Sequence, residues 1–287
     1  MTTLWAGLGA GAVYALVALT FNIPLAASGV FNFAQPQFTM LGGFLAFEGL
    51  RQGWPLLLVL GACVVVGGLL GVLEERVAIR PFVRNTTSRA ALVTTVGFAV
   101  VLEGVAHVIW GTTPQAVPFP GTDSTLDVAG GRLGVLDLTV LILAVVACLS
   151  AEIATRTTGW GLANRATTID PTAAELRGID VTAVRRRAFA LAGALACAVG
   201  PLVAAQVTAS VTLGNNLLIL AFVALCLGGF GSHVGCLVGG VAVGLVQALG
   251  ARYLNGDWAL VLLFAVLVAL LLARPSGLFG ARRQRTV

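Results

Sequence analysis

Apolar residues run along this chain in long blocks separated by short polar breaks, and they do not alternate with polar ones. A helix needs about 20 apolar residues to cross about 30 Å of hydrocarbon. Blocks of that size fall at roughly 3–22, 30–50, 55–74, 90–110, 135–154, 187–208, 216–230, 235–251 and 258–273. They predict about nine transmembrane helices, or 8–10 given the two short blocks around Gly231. Because the breaks are short, the expected architecture is an all-α polytopic membrane protein, a single bundle and a single domain over 1–287.

Composition agrees. Of the 287 residues, 58% are hydrophobic and 10% charged, and the mean hydropathy is +0.97. Soluble domains carry about a quarter charged residues, so an ordinary soluble enzyme is excluded. The net charge of +5 does not point to nucleic acid. All 17 basic residues are Arg, and they cluster between the apolar blocks, which is how a membrane chain encodes its orientation. One cluster is Arg76, Arg80, Arg84 and Arg89. A second is Arg156, Arg165, Arg177, Arg185, Arg186 and Arg187, and a third is Arg274, Arg282, Arg283 and Arg285. Placing all three in the cytoplasm leaves Arg51, Arg132 and Arg252 outside, so the N-terminus is expected outside and the C-terminus inside, in the plasma (inner) membrane. Residues 2–21 have no basic stretch ahead of them and read as a retained first helix rather than a cleaved signal.

Two polar segments stand out. The outer one, about 112–134, carries Pro114, Pro118, Pro120, Asp123 and Asp127, with Asp137 just beyond, and reads as a surface loop or cap. The inner one, about 156–187, contains its own helix punctuation. Asp170 before Pro171 is an N-cap followed by proline at the first helical position, and Thr172 with Glu175 resembles a capping box. Gly178 is a natural stop. This predicts a helix of about two turns outside the membrane. So short a helix is marginal in water and is expected to dock on a cytosolic partner.

Catalytic signals are weak. With no Lys there is no phosphate-binding GxxxxGK[ST] loop, and neither GxSxG nor HExxH occurs. The two His, His107 and His233, and five scattered Cys (Cys63, Cys148, Cys197, Cys226, Cys236) suggest neither a metal site nor a disulfide. Glu103 and His107 share one helical face, as an interfacial pair completed by Trp110 or as a proton relay. Asn32, Gln35, Gln37 and Thr39, with Asn22 nearby, are bracketed by Pro24, Gly29 and Pro36. Broken helices in membranes are tolerated where they line a cavity or pack in protein, and both readings stay open for these residues. The four-residue spacing Gly231, Gly235, Gly239, repeated by Gly7 with Gly11 and Gly67 with Gly71, suits close helix packing or a subunit contact.

Several stretches together resemble the membrane subunits of branched-chain amino acid (Liv-type) ABC importers over nearly the full length. They are GAVYALVAL (11–19), GVFNFAQPQFTMLGGFLA (29–46), ERVAIRP (75–81), TTVGFAVVLEG (94–104), AAELRGIDV (173–181), AFALAGALA (188–196), LGGFGS (227–232) and RPSGLFG (274–280). The resemblance implies a permease subunit that is not itself an ATPase and holds no cofactor. ATP and Mg would be bound by two cytosolic ATPase subunits. A second homologous permease and an extracytoplasmic solute-binding protein would complete the assembly, in membrane lipid and without nucleic acid. Ala173, Ala174 and Gly178 are similar to the Ala-Ala-x3-Gly core of the importer coupling loop, with Thr172 where an acidic residue often stands.

The chain departs from that pattern in two places. Gln35, Pro36 and Gln37 replace the usual His-Gly-Glu, and His233, Val234 and Gly235 replace Ile-Pro-Gly. The expected cargo is therefore branched-chain or other small amino acids, with urea or amide-like solutes as the alternative cargo. A proton-coupled secondary carrier using Glu103 and His107 is the competing function.

Overall fold

The first helix outruns its apolar block and continues through a proline. In the computed structural model, which describes residues 1–83, 88–121, 124–128, 130–254, 256–274 and 277–280, α1 runs Thr2–Ser28 through Pro24. The Ser28 hydroxyl donates to the Pro24 carbonyl at 2.8 Å, and Gly29, at φ +67°, ends the helix. After an irregular stretch over 29–34, α2 (Gln35–Arg51) begins with Pro36 in its first turn, where a missing N–H breaks no helical bond. The interruption expected between Asn22 and Pro36 is therefore present.

The remaining elements follow the blocks: α3 (Leu56–Glu74), a π-helical turn (Glu75–Ile79), α4 (Arg80–Val83), α5 (Ser88–Trp110), a hairpin of β1 (Thr125–Val128) and β2 (Gly131–Gly134), α6 (Val135–Thr157), α7 (Gly159–Ile169), α8 (Pro171–Leu176), α9 (Val181–Gln206), α10 (Leu213–Gly228), α11 (His233–Leu254) and α12 (Gly256–Ala273). Among the described residues, 6 helices are long and apolar enough to cross a membrane: Thr2–Ser28, Leu56–Phe82, Ala90–Trp110, Val135–Thr157, Val181–Gln206 and His233–Tyr253. Leu213–Gly228 and Trp258–Ala273 are shorter apolar helices, and α2, with 17 residues, carries buried polar groups along its first turns.

Two boundaries differ from the sequence reading. The polar stretch 156–187 holds two helices, α7 and α8, where one was expected. In addition, α9 begins at Val181, so Arg185, Arg186 and Arg187 belong to a helix and not to a loop. Asp180 makes this possible by accepting the Ala183 N–H at 2.9 Å, which caps the helix start. Of the arginines used to orient the chain, Arg84, Arg282, Arg283 and Arg285 lie outside the described residues, as do the Arg89 side chain and Asp123 of the outer polar segment.

The chain forms two compact units. One comprises Ile23–Thr122 and Ile153–Leu218. Its centre is α9, packed against both α2 and α3. A Cβ on Gly67 of α3 would fall on the Gly193 carbonyl of α9, and one on Gly193 would fall on the Gly67 carbonyl, so the two backbones touch where neither residue carries a side chain. Phe44 of α2 stacks on Trp110 of α5 with ring centroids 4.9 Å apart. The segment after α5 pairs Gln115 with Ala209 in an antiparallel bridge.

The other unit comprises Met1–Asn22, Asp123–Glu152 and Ile219–Val287. In it α1 packs on α11, with Gly7 and Gly11 against Gly240, Val241 and Gly244. The β1–β2 hairpin pairs Thr125 with Gly134 and Val128 with Gly131.

Candidate functional site

Polar residues at the start of α2 lie fully inside the first unit. The Asn32 Oδ1 accepts the Ala34 N–H at 2.9 Å, which turns the chain into α2. Its amide nitrogen donates twice, to Gln35 Oε1 at 2.9 Å and to Glu74 Oε2 at 2.7 Å. The Phe33 N–H reaches Thr95 Oγ1 at 3.4 Å. Asn32, Gln35, Thr39 and Glu74 have no solvent exposure, and Gln37 has almost none.

A second link starts at Gln37. Its amide nitrogen donates to Asn215 Oδ1 at 2.9 Å, and the Asn215 amide in turn donates to both Glu103 oxygens at 3.0 and 3.1 Å. The structure thus brings Gln37 and Glu103 together through a residue on α10. His107 is exposed, and no hydrogen bond joins it to Glu103 among the described residues. Several buried atoms have no protein partner: Gln35 Nε2, Gln37 Oε1, Thr39 Oγ1 and Glu74 Oε1. Each such group costs about 1–3 kcal/mol when buried. Three of them lie on the first turns of α2 and the fourth, Glu74, ends α3 beside them.

The polar loop that follows α7 is punctuated at every step. Asp170 caps α8, its Oδ1 accepting the Ala173 N–H at 3.0 Å, and Pro171 occupies the first turn. No hydrogen bond joins Thr172 to Glu175, so the cap is carried by Asp170 and not by a reciprocal box. Gly178 sits at φ +82°, the left-handed conformation that favours glycine, and the Gly178 and Ile179 N–H groups bond back to Glu175 and Ala174. Ala174 is buried, while Ala173 and Glu175 face outward. Ile169 and Leu176, at either end of α8, are each 86% exposed.

In the second unit, two motifs from distant parts of the chain meet. The N–H groups of Leu278 and Phe279 donate to the Leu227 and Gly228 carbonyls, both at 2.9 Å, so the RPSGLFG stretch closes the end of α10. Pro275 and Ser276 of that stretch lie outside the described residues. The turn after α10 is held by Asn22, whose Oδ1 accepts the Gly231 N–H at 2.8 Å, and by Glu152, which accepts the His233 N–H at 3.3 Å. Of the three spaced glycines, Gly231 lies in this turn, whereas Gly235 and Gly239 of α11 pack on Gly228 and Ala224 of α10.

The family described as "Branched-chain amino acid transport system / permease component" matches residues 3–271. The chain belongs to this permease family. It is 30% identical over 290 residues to the high-affinity branched-chain amino acid transport system permease protein LivH of Escherichia coli (strain K12), covering 96% of this chain and 93% of that protein. It is 26% identical to the corresponding permease protein BraD of Pseudomonas aeruginosa, over 96% of this chain and 94% of that one. The fructose import permease protein FrcC of Rhizobium meliloti is also 26% identical, over 90% of this chain and 71% of that protein.

The permease is thus a multi-pass membrane protein of a transport-subunit family. Sequence reasoning missed four of the polar residues that the structure connects. Glu74 and Glu75 close an apolar block, and Asn215 opens one, so each looked like an edge. Arg185 sits among other arginines and looked like loop charge. Their shared signal is a charged or amide side chain within one turn of an apolar block.

Proposed function

We propose that this permease is the membrane subunit of an ABC importer for branched-chain amino acids, driven by two separate ATPase subunits, one of which docks on α8. The observation that carries the docking is the loop itself. It is a short helix, capped by Asp170 and stopped at Gly178, with Leu176 at its last turn and Ile169, the last residue of α7 just before the cap, each 86% exposed. Apolar side chains on a rigid polar-loop helix suit insertion into a partner groove. Asp170, Pro171, Ala173, Ala174, Glu175 and Gly178 form that element, and Asn32, Gln35, Gln37, Thr39 and Glu103 line or border the solute path. The cargo follows the names of the LivH and BraD relatives.

In this reading the chain is one permease domain of about nine crossings in the inner membrane, with N-terminus outside and C-terminus inside. It pairs with a second homologous permease and receives solute from an extracytoplasmic binding protein. The uncharged Gln35 and Gln37 favour a second reading, a neutral polar cargo, consistent with a fructose permease among the relatives.

Purification of the tagged chain in mild detergent from its own cell, followed by mass spectrometry and leucine uptake in proteoliposomes, tests the proposal. An ATPase and a second permease should follow the chain, and leucine uptake should require ATP. Uptake by this chain alone without ATP would establish the secondary carrier. ATP-driven uptake of fructose or urea without leucine would establish the second cargo.

A further inference from the structure

Glu74 and Glu75 are consecutive, yet they hold different helices. Glu74 accepts a hydrogen bond from Asn32 at the entrance to α2 at 2.7 Å. Glu75 accepts one from Arg185 Nε of α9 at 2.8 Å, with side chains only 1% and 5% exposed. At this point α3 changes winding, since residues 75–79 form a π turn. Such turns hold one residue more than an α turn and are frequent at functional sites. Apolar packing closes around it: Ile79 of the π turn clusters with Val30 before α2, Ala91 of α5 and Phe189 of α9, all buried.

The path from the docking loop to this turn is short. Gly178 ends α8, Asp180 caps α9 two residues later, and Arg185 lies about one turn into α9. A displacement of α8 therefore moves the start of α9, and with it the guanidinium that grips Glu75. On the other side, Glu74 holds Asn32, Asn32 holds Gln35, and two residues along α2 Gln37 reaches Asn215 and Glu103. A buried ion pair adds little net stability over apolar side chains of similar volume. Stability alone thus does not explain Arg185 and Glu75 at this junction. The pair does tie the rotation of one helix to that of another.

We propose that Glu74 and Glu75 are positioning residues of a hinge. Arg185 transmits the movement of α8 to the π turn, and Glu74 passes it to the polar entrance of α2. This rests on the reading of α8 as the ATPase-docking helix. The π turn is the element on which this hinge acts, because its extra residue can be taken up by α winding on either side.

The test uses the whole complex, purified with its partners and placed in proteoliposomes, with ATP hydrolysis and radiolabelled leucine uptake measured together. The double variant Glu75→Met, Arg185→Met keeps the volume and removes the tie. The expected result is sustained hydrolysis with leucine moved per ATP lowered about tenfold, partly recovered by the charge-reversed pair Glu75→Arg, Arg185→Glu. Unchanged leucine per ATP in the Met pair overturns the hinge.

Val77, 56% exposed on the π turn, carries the second measurement. A spin label at Val77→Cys should change mobility when ATP binds the otherwise unmodified complex, and the same mobility in both states would overturn the hinge. This readout decides alone if the Met pair fails to assemble. Failure of the docking reading looks different: no ATPase copurifies, or Gly178→Leu leaves uptake unaltered.

Discussion

Asn22 and His233 stand 211 positions apart and meet at 3.0 Å, the Asn22 amide against His233 Nδ1. With that amide donating, Nδ1 is the acceptor and the proton of the neutral ring sits on Nε2. The same Asn22 side chain accepts the Gly231 N–H, so one residue of α1 holds the turn between α10 and α11 at two points. Gly231 belongs to the LGGFGS stretch that matches the family pattern, and His233 opens the stretch that departs from it. The departure therefore comes with its own partner.

Asn22→Leu removes both bonds and strands a buried imidazole nitrogen and an N–H. The expected loss is about 1–3 kcal/mol of stability, read as an earlier midpoint in an SDS unfolding titration of the purified chain. A midpoint equal to that of the unmodified protein would show that the turn stands without Asn22.

Two glycines of α3 should respond in opposite ways to the same change. A Cβ at Gly67 meets the Gly193 carbonyl, while one at Gly61 meets nothing within 4 Å. Gly67→Ala forces α3 off α9 at a cost of about 1–3 kcal/mol. Gly61→Ala leaves stability unchanged or raises it by about 0.5–1 kcal/mol, because alanine loses less backbone freedom in a helix. The two variants compared in one unfolding series check the packing of α3 on α9, and equal midpoints would refute it.

Gly178→Leu places a branched side chain at φ +82°. Left-handed backbone costs such a residue about 1–2 kcal/mol, too little to unfold the protein but enough to re-aim α8 relative to α9. Uptake by the assembled complex should fall sharply while the amount of chain in the membrane stays constant. Normal uptake would mean that the angle between α8 and α9 carries no signal.

Glu103→Gln keeps an acceptor for Asn215 and removes the charge. Since Glu103 is bonded to Asn215 and not to His107, uptake should remain driven by ATP and indifferent to a protonophore, with stability altered by no more than about 1 kcal/mol. Loss of an ATP-independent component of uptake in this variant would instead favour proton coupling.

The helices were legible because each long helix is a block of apolar residues with few interruptions. The ends of α8 were legible because Asp170, Pro171 and Gly178 act on the backbone within a residue or two of where they stand. Arg185 misled for the opposite reason. Charge in a membrane chain usually marks a loop, and the carboxylate of Glu75, 110 positions away, pairs with this arginine where it is buried. Gln37 and Glu103 were each suspected separately, but the Asn215 that joins them carries no pattern of its own.

By itself, then, the sequence determined that this chain is a membrane-embedded helical permease with a capped polar-loop helix. Hydropathy, helix caps and turn glycines are local properties, and a linear pattern records most of them, although it gave no sign of α7 and put the start of α9 too late. Only the tertiary structure decided which polar side chains face one another: Asn32 with Glu74, Arg185 with Glu75, Gln37 with Asn215, Asn22 with His233. A hydrogen bond needs two groups within about 3 Å, and helix packing alone sets that separation between residues far apart in the chain.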